Sequence, residues 1–389
     1  MMARLGDYIE QIRGVSYKPE DVCTAQDKDA VAILRANNIQ DDGLNFDDLV
    51  YVKKSKVSAI QYIKAGDIVV CASSGSKNLV GKAAIATEDM DFSFGAFCKV
   101  VRPRKLLPSY AGHYFQSPKY RNKISELAGG ANINNIRNEH IDELDIVVPN
   151  SDEQERISIE LNKICYLISL RKQQLSRLDE LVKSRFIELF GDPIFNQMNW
   201  DTDAVENLCS EIYGGGTPSK AHPEYYEDGD IPWVSSKDMK TDILYDSQIK
   251  INQLGVENST AKMVPINSVI MVIRSGILKH TLPVAINAVP ITVNQDLKVF
   301  IPNEKILSVF LMYQFKMLEK DILSGVRAVT ADNIEFNSLK EREIIVPPIE
   351  RQEEFVSFVK QTDKSKFEIQ QSLEKLETLK KALMQKYFG

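Results

Sequence analysis

Along this chain the pattern of apolar and polar positions changes character twice, in the same way each time. Over residues 1–145 apolar residues come in short runs broken by turn residues, among them AGDIVVC at 65–71, VGKAAIA at 80–86 and AFCKVV at 96–101. Runs of that length predict strands of an antiparallel sheet. Residues 5–12 predict an opening helix or strand, residues 31–39 (VAILRANNI) a run that ends in the turn Gln40-Asp41-Asp42-Gly43, and residues 109–128 a helix with Tyr110, Tyr114, Ile124 and Leu127 on one face. Past residue 146 the spacing lengthens to a 4-3 period: Ile157, Leu161, Ile164, Ile168, Arg171, Leu175, Leu178, Val182, Arg185, Leu189. Residues 192–343 return to short runs. The chain then closes on a second 4-3 stretch: Phe355, Val359, Thr362, Lys366, Ile369, Leu373, Leu376, Lys380, Leu383, Tyr387.

The two 4-3 stretches are one pattern written twice. IVVPNSDEQERI opens the first and IIVPPIERQEEF the second, and both end in Phe-Gly. Pro347, Gln352, Leu376 and Gly389 each lie 198 positions after Pro149, Gln154, Leu178 and Gly191. An ungapped echo of that length marks an internal repeat. Proline ends the preceding segment, acidic residues follow it where a helix dipole favours them, and the 3.5-residue period is that of a coiled coil with polar interruptions. Each stretch predicts a helix of about 60 Å at 1.5 Å per residue. Two matched seams in one chain predict that the helices pack on each other, antiparallel. The intervening bodies share a looser frame. Residues 232–239 (PWVSSKDM) take the place of LRANNI, Ser275-Gly276 follow Ser74-Gly75 by 201, and Lys298-Val299 follow Lys99-Val100 by 199. The expected fold is therefore mixed α/β (α+β): two similar bodies, 1–145 and 192–343, separated and joined by two long antiparallel coiled-coil helices, 146–191 and 344–389, with pseudo-twofold symmetry.

Composition narrows the class. With 389 residues, 43% hydrophobic and 26% charged, the chain can bury more than one core. No apolar run approaches a membrane span, and MMARLGDYIEQ lacks the apolar core of a signal peptide. A cytoplasmic protein with no membrane contact is expected. Five scattered cysteines without a CxxC pair argue against a zinc ribbon or a disulfide framework. The net charge is −6, and the second body carries 14 basic against 21 acidic residues. That is not the basic footprint of a stand-alone nucleic-acid binder, so any role on DNA calls for local basic patches or a basic partner.

Little in the sequence suggests chemistry. Gly214-Gly215-Gly216-Thr217-Pro218-Ser219-Lys220 has the wrong spacing for a Walker loop. No NPPY-like tetrapeptide is present for methyl transfer to an amino group, and FSFGAF at 92–97 is a poor relative of a glycine-rich S-adenosylmethionine loop. The histidines, His113, His140, His222 and His280, are isolated. Asp230 with Asp238 and Lys240 fits the loose D…(D/E)xK pattern of metal-dependent nucleases and is kept as an alternative reading. No catalytic and no metal-binding residue is otherwise assigned.

What remains are polar, glycine-containing loops. Backbone amides and Lys or Arg can hold phosphates, while Arg, Asn, Ser and Thr can read base edges. In the first body the candidates for DNA contact are Arg35, Asn37, Asn38, Ser74, Lys77, Asn78, Asn134 and Arg137. In the second they are Gly215, Thr217, Ser219, Lys220, Trp233, Ser235, Lys237, Arg274, Lys279 and Arg327.

Over its whole length the sequence resembles the specificity (S) subunits of type I restriction-modification systems. The resemblance is carried by IVVPNSDEQERI and IIVPPIERQEEF with their proline–glutamine helix starts, by the Phe-Gly endings of KSRFIELFGD and KKALMQKYFG, and by GGGTPSKAHPEYYEDGDIPWVSSKDM. The last stretch is similar to the opening of many recognition domains of that family. The first body has RGVSYKP at 13–19 in its place. The resemblance implies a subunit without catalysis of its own, whose two target-recognition domains each read one half of a split, asymmetric site on double-stranded DNA. It implies that the helices act as a ruler and dock two methyltransferase (M) subunits, with Gln154, Gln352, Leu175, Leu178, Leu373 and Leu376 as contact residues. S-adenosylmethionine would then sit in the M subunits, and ATP and Mg²⁺ would be used with restriction (R) subunits.

Overall fold

The computed structural model describes residues 2–76, 78–127, 134–325, 327–328 and 332–389, with Asn134, Arg327, Ala328 and Asp332 described by backbone only. The chain divides into two compact units: residues 1–175 with 368–389, and residues 176–367. Each unit holds one body together with a piece of both long helices.

In the first unit a four-stranded antiparallel sheet runs in the order Ala83–Ile85, Ile68–Cys71, Cys98–Pro103, Ile9–Arg13. Its central strands are buried over Ile68–Cys71 and over residues 98–101, which is why IVVC reads as an unbroken apolar run and CKVV is broken only by Lys99. A second sheet is ordered Phe92–Phe94, Ala30–Leu34, Val50–Lys53, Val22–Cys23. Its first pairing is parallel, not antiparallel as the run pattern predicts, because the strands are joined through a long excursion and not a hairpin. The predicted helix at 109–128 is two helices, Pro108–Gln116 and Pro118–Leu127, split at Pro118.

The second unit repeats the plan. Cys209–Gly214, Leu297–Pro302, Val269–Val272, Val284–Asn287 and Ile243–Leu244 form its large sheet, and Lys250–Ile251, Ile231–Val234 and Thr292–Val293 its small one. Again one small-sheet pairing, Trp233 with Thr292, is parallel. Each body is closed by its last strand, Asp145–Val147 on Met2–Arg4 and Glu343–Ile345 on Thr202–Ala204. The apolar start of each 4-3 stretch is thus a strand, and the helix begins only past the prolines.

The long helices are Ser151–Phe190 and Ile349–Phe388, 40 residues each. None of the twenty seam positions named above is exposed. Within the first unit the helices run antiparallel: Ile164 and Ile168 pack with Leu373, Arg171 Nε donates to Ser372 Oγ (3.2 Å), and the Tyr387 hydroxyl donates to Glu160. Within the second unit Lys366 pairs with Asp179 (2.6 Å), and Arg185 with Glu354 (2.7 Å). Arg171, Arg185, Lys366 and Tyr387, polar interruptions of the period, are therefore cross-helix partners, while Thr362 donates to the Phe358 carbonyl of its own helix. The Phe-Gly endings are anchors. Phe388 lies against Tyr110 and Tyr114 of the first body, and Phe190 against Phe310 and Phe355 in the second unit. Gly191 follows with φ +73°, donating its N–H to the Ile187 carbonyl, a left-handed helix stop that favours glycine.

Candidate nucleic-acid interface

In each body the predicted loops converge on one turn, residues 94–98 in the first and 293–297 in the second. Four backbone hydrogen bonds assemble the first: Val15 N–H to Phe94 O (2.7 Å), Gly95 N–H to Leu34 O (2.9 Å), and the N–H groups of Ala72 (2.8 Å) and Ser73 (3.0 Å) to Phe97 O. The second body makes the same four: Gly216 to Val293 (3.0 Å), Asn294 to Val234 (2.9 Å), and Ile273 (2.9 Å) and Arg274 (3.3 Å) to Asp296. A fifth strap repeats too, Ile136 N–H to Ala72 O and Ile334 N–H to Ile273 O. These bonds align the bodies residue by residue. Gly14 matches Gly215, Ser16 matches Thr217, Arg35 matches Ser235, Asn38 matches Asp238, Ser73 matches Arg274, and Phe97 matches Asp296.

The alignment resolves the first body's missing glycine-rich opening. RGVSYKP occupies the same place as GGGTPSK. A Cβ on Gly14 would lie 2.1 Å from the Gly95 carbonyl, and one on Gly215 would lie 2.0 Å from the Val293 carbonyl. Gly215 is therefore required for close backbone approach.

Two candidate contacts need correction. Asn38 is fully buried, and its side chain builds the turn: Oδ1 accepts the Arg35 N–H (2.8 Å) and Nδ2 donates to the Asp47 carbonyl (2.8 Å). Trp233 is buried, with Nε1 donating to the Gly216 carbonyl (2.9 Å). It holds the glycine loop and offers no stacking face. Arg35 and Asn37 stay at the surface but share a tether, both donating to the Asp48 carboxylate (2.7 and 3.0 Å). Ser74 Oγ accepts the Ser76 N–H, and Asn78 and Arg137 are exposed. In the second body Thr217 donates to Gln295, Arg274 pairs with Asp296 (2.6 Å), and Ser235 donates to Asp238. Ser219, Lys220, Lys237 and Lys279 are exposed on the adjoining loops. Asn134 and Arg327 lie in short strands and their side chains lie outside the described residues, as does all of Lys77.

The first body's turn lines a cleft of about 800 Å³ with Tyr17, Arg35, Asn37, Ser74 and Phe97 on its walls. Phe97, Gln295 and Asp296 had escaped the sequence reading. Extending the 199-residue offset of Lys99-Val100 and Lys298-Val299 back by two residues would have reached Phe97 and Asp296. Lys99 itself is buried, which lowers its pKa to about 8, and its ammonium donates to Gln11 and Asn138 (2.8 Å each). Burial lowers Lys298 as well, and its ammonium lies 4.3 Å from the centre of the Phe336 ring.

The nuclease reading finds no support, because Asp238 is taken up by its own turn. Asp238 Oδ2 accepts from Ser235 N–H (2.9 Å) and Oγ (2.8 Å), and Oδ1 accepts the Gln248 N–H (2.9 Å). It caps the turn that Asn38 caps in the first body, where an amide suffices. Among the described residues no three His, Cys, Asp or Glu side chains are grouped as metal ligands, and no helix is long and apolar enough to cross a membrane. Of the residues expected to meet partner subunits, Gln154, Gln352 and Leu373 are corrected, because their side chains are buried within this chain. Gln154 and Gln352 are buried, with Oε1 accepting the N–H of Leu107 and Leu307 (2.9 Å each) and Nε2 donating to Pro149 and Pro347 carbonyls. Leu373 is buried in the helix seam, where Leu175 and Leu376 are half-buried; Leu178 is half-buried as well.

Two scaffolds built on one plan, with the same five backbone hydrogen bonds at the turn where their loops converge and unlike side chains there, define a tandem recognition fold. Residues 1–180 and 198–381 each match the type I restriction modification DNA specificity domain, and the chain belongs to that family. It is 42% identical over 173 residues to the type I restriction enzyme StySPI specificity subunit of Salmonella potsdam, a match covering 44% of this chain and 37% of that protein. The MjaIX specificity subunit of Methanocaldococcus jannaschii is 22% identical over 331 residues, covering 80% of this chain and 75% of its own. The crystal structure of the type I restriction-modification S subunit from M. genitalium has the same fold, with a TM-score of 0.58 at 15% identity, covering 100% of this chain and 96% of that one.

Proposed function

We propose that this chain is the specificity subunit of a cytoplasmic type I restriction-modification complex. Each body reads one half of a bipartite, asymmetric site on double-stranded DNA. The antiparallel helices fix the spacing between half-sites and dock two methyltransferase subunits, which bring S-adenosylmethionine. Restriction subunits, using ATP and Mg²⁺, act on the same assembly, and this chain performs no chemistry itself. The observation that carries this reading is the shared hydrogen-bonded frame with unlike side chains at its mouth: Ser73 and Phe97 in one body, Arg274 and Asp296 in the other. One frame with two mouths suits two different half-sites. Arg35, Asn37, Ser74, Asn78 and Arg137 are the proposed contacts of the first body, and Thr217, Ser219, Lys220, Ser235, Lys237, Arg274 and Lys279 those of the second. A net charge of −6 leaves much of the phosphate contact to the partner subunits.

The test is to purify the chain with its methyltransferase partner and to map every adenine that the complex methylates. A single bipartite sequence with unlike halves is expected, bound with a steep loss of affinity as salt rises. Sequence-blind binding, or a palindromic site, would overturn the proposal.

A further inference from the structure

The side chain that most separates the two bodies is Phe97. Scattered apolar residues at a surface need no explanation, but this one sits at the turn on which its body's loops converge. Two amides, from Ala72 and Ser73, clamp its carbonyl, so the turn cannot easily fold the ring away. The ring is 68% exposed on the wall of the cleft that also holds Arg35, Asn37 and Ser74. The matching position in the second body is Asp296, whose carboxylate pins Arg274, and the neighbouring Gln295 takes the hydroxyl of Thr217. In the first body those partners are Ser73, Ala96 and Ser16, none of which can make that ion pair. One mouth is polar and cross-linked, and the other presents an apolar ring.

We propose that Phe97 is a specificity-determining contact of the first body, closing on the C5-methyl group of a thymine in the major groove. The inference rests on the proposed reading of DNA by this body. The thymine methyl is the one apolar group that a base pair presents in that groove, and phenylalanine is among the side chains that meet it; alanine at position 97 would end at Cβ and lack the ring that reaches it. Burying a methyl-sized group against the ring favours thymine by about four-fold over the same base without it.

The test uses the full chain in complex with its methyltransferase subunits and duplexes carrying the mapped site. Each thymine of both half-sites is replaced in turn by deoxyuridine, which removes the methyl and nothing else. Wild-type complex is expected to lose about four-fold in affinity at one thymine. Phe97→Ala is expected to bind the two duplexes equally, and Phe97→Leu to keep part of the difference. Loss of affinity that persists in Phe97→Ala, or no sensitive thymine in either half-site, would overturn the inference while leaving sequence-specific binding intact. Failure of the wild-type complex to prefer the mapped site over unrelated duplex would instead remove the underlying reading, and this inference with it.

Discussion

The Leu307 N–H donates to Gln352 Oε1 at 2.9 Å, joining the first residues of a body helix to the first turn of the long helix. The same amide group donates to the Lys305 and Pro347 carbonyls (3.0 and 2.9 Å), and the side chain is fully buried. Gln154 holds Leu107 in the same way in the first body. A glutamine suits this position because it accepts one bond and donates others at a site closed to water.

Gln352→Ala is therefore expected to strand a buried N–H and two carbonyls, at a cost of about 2–3 kcal/mol measured by urea unfolding. Gln352→Glu should cost at least as much, since an ionised carboxylate cannot donate to carbonyl oxygens. Unchanged stability with weakened binding of the methyltransferase subunits would instead return this glutamine to the partner surface.

Asp238→Asn tests the turn against the nuclease. The first body makes this turn with Asn38, so the substitution should keep the Ser235 cap and lose the bond from Gln248. About 1–2 kcal/mol of stability is expected to go, with the methylated sequence unchanged. A Mg²⁺-dependent cleavage by the isolated chain that vanishes in this variant would contradict the assignment.

His113 makes a pH prediction. It is buried, its Nε2 lies 2.7 Å from Asn162 Oδ1, and burial lowers its pKa to about 4 from 6.5, with the nearby Lys380 acting in the same direction. The unfolded chain then takes up a proton that the folded chain refuses. The stabilisation is complete above pH 6.5 and is lost as pH falls towards 4, by about 3 kcal/mol. Comparing urea unfolding at pH 7 and pH 4, wild type should lose that much more than His113→Phe. Equal losses would place the proton elsewhere.

The repeat made the architecture legible, because an offset of 198 between two proline–glutamine motifs needs no coordinates to be seen. The seam was legible for the same reason, down to its polar slots, although not the partners of Arg171, Arg185 and Lys366. The interface was harder to read. Asn38 and Trp233 look like contacts in a linear sequence, since a buried turn cap and an exposed reader share the same residue types. Phe97 looks like core until its turn is placed. Which side of a loop faces water is decided by long-range pairing, here the parallel strand Phe92–Phe94 on Ala30–Leu34, and no local period records it.

The central claim is that one chain carries two independent readers. The most direct measurement exchanges residues 192–343 for the corresponding body of another family member and maps methylated adenines made by the resulting complex. One half of the bipartite sequence should change, with the other half retained. Alteration of both halves, or of neither, would contradict the account.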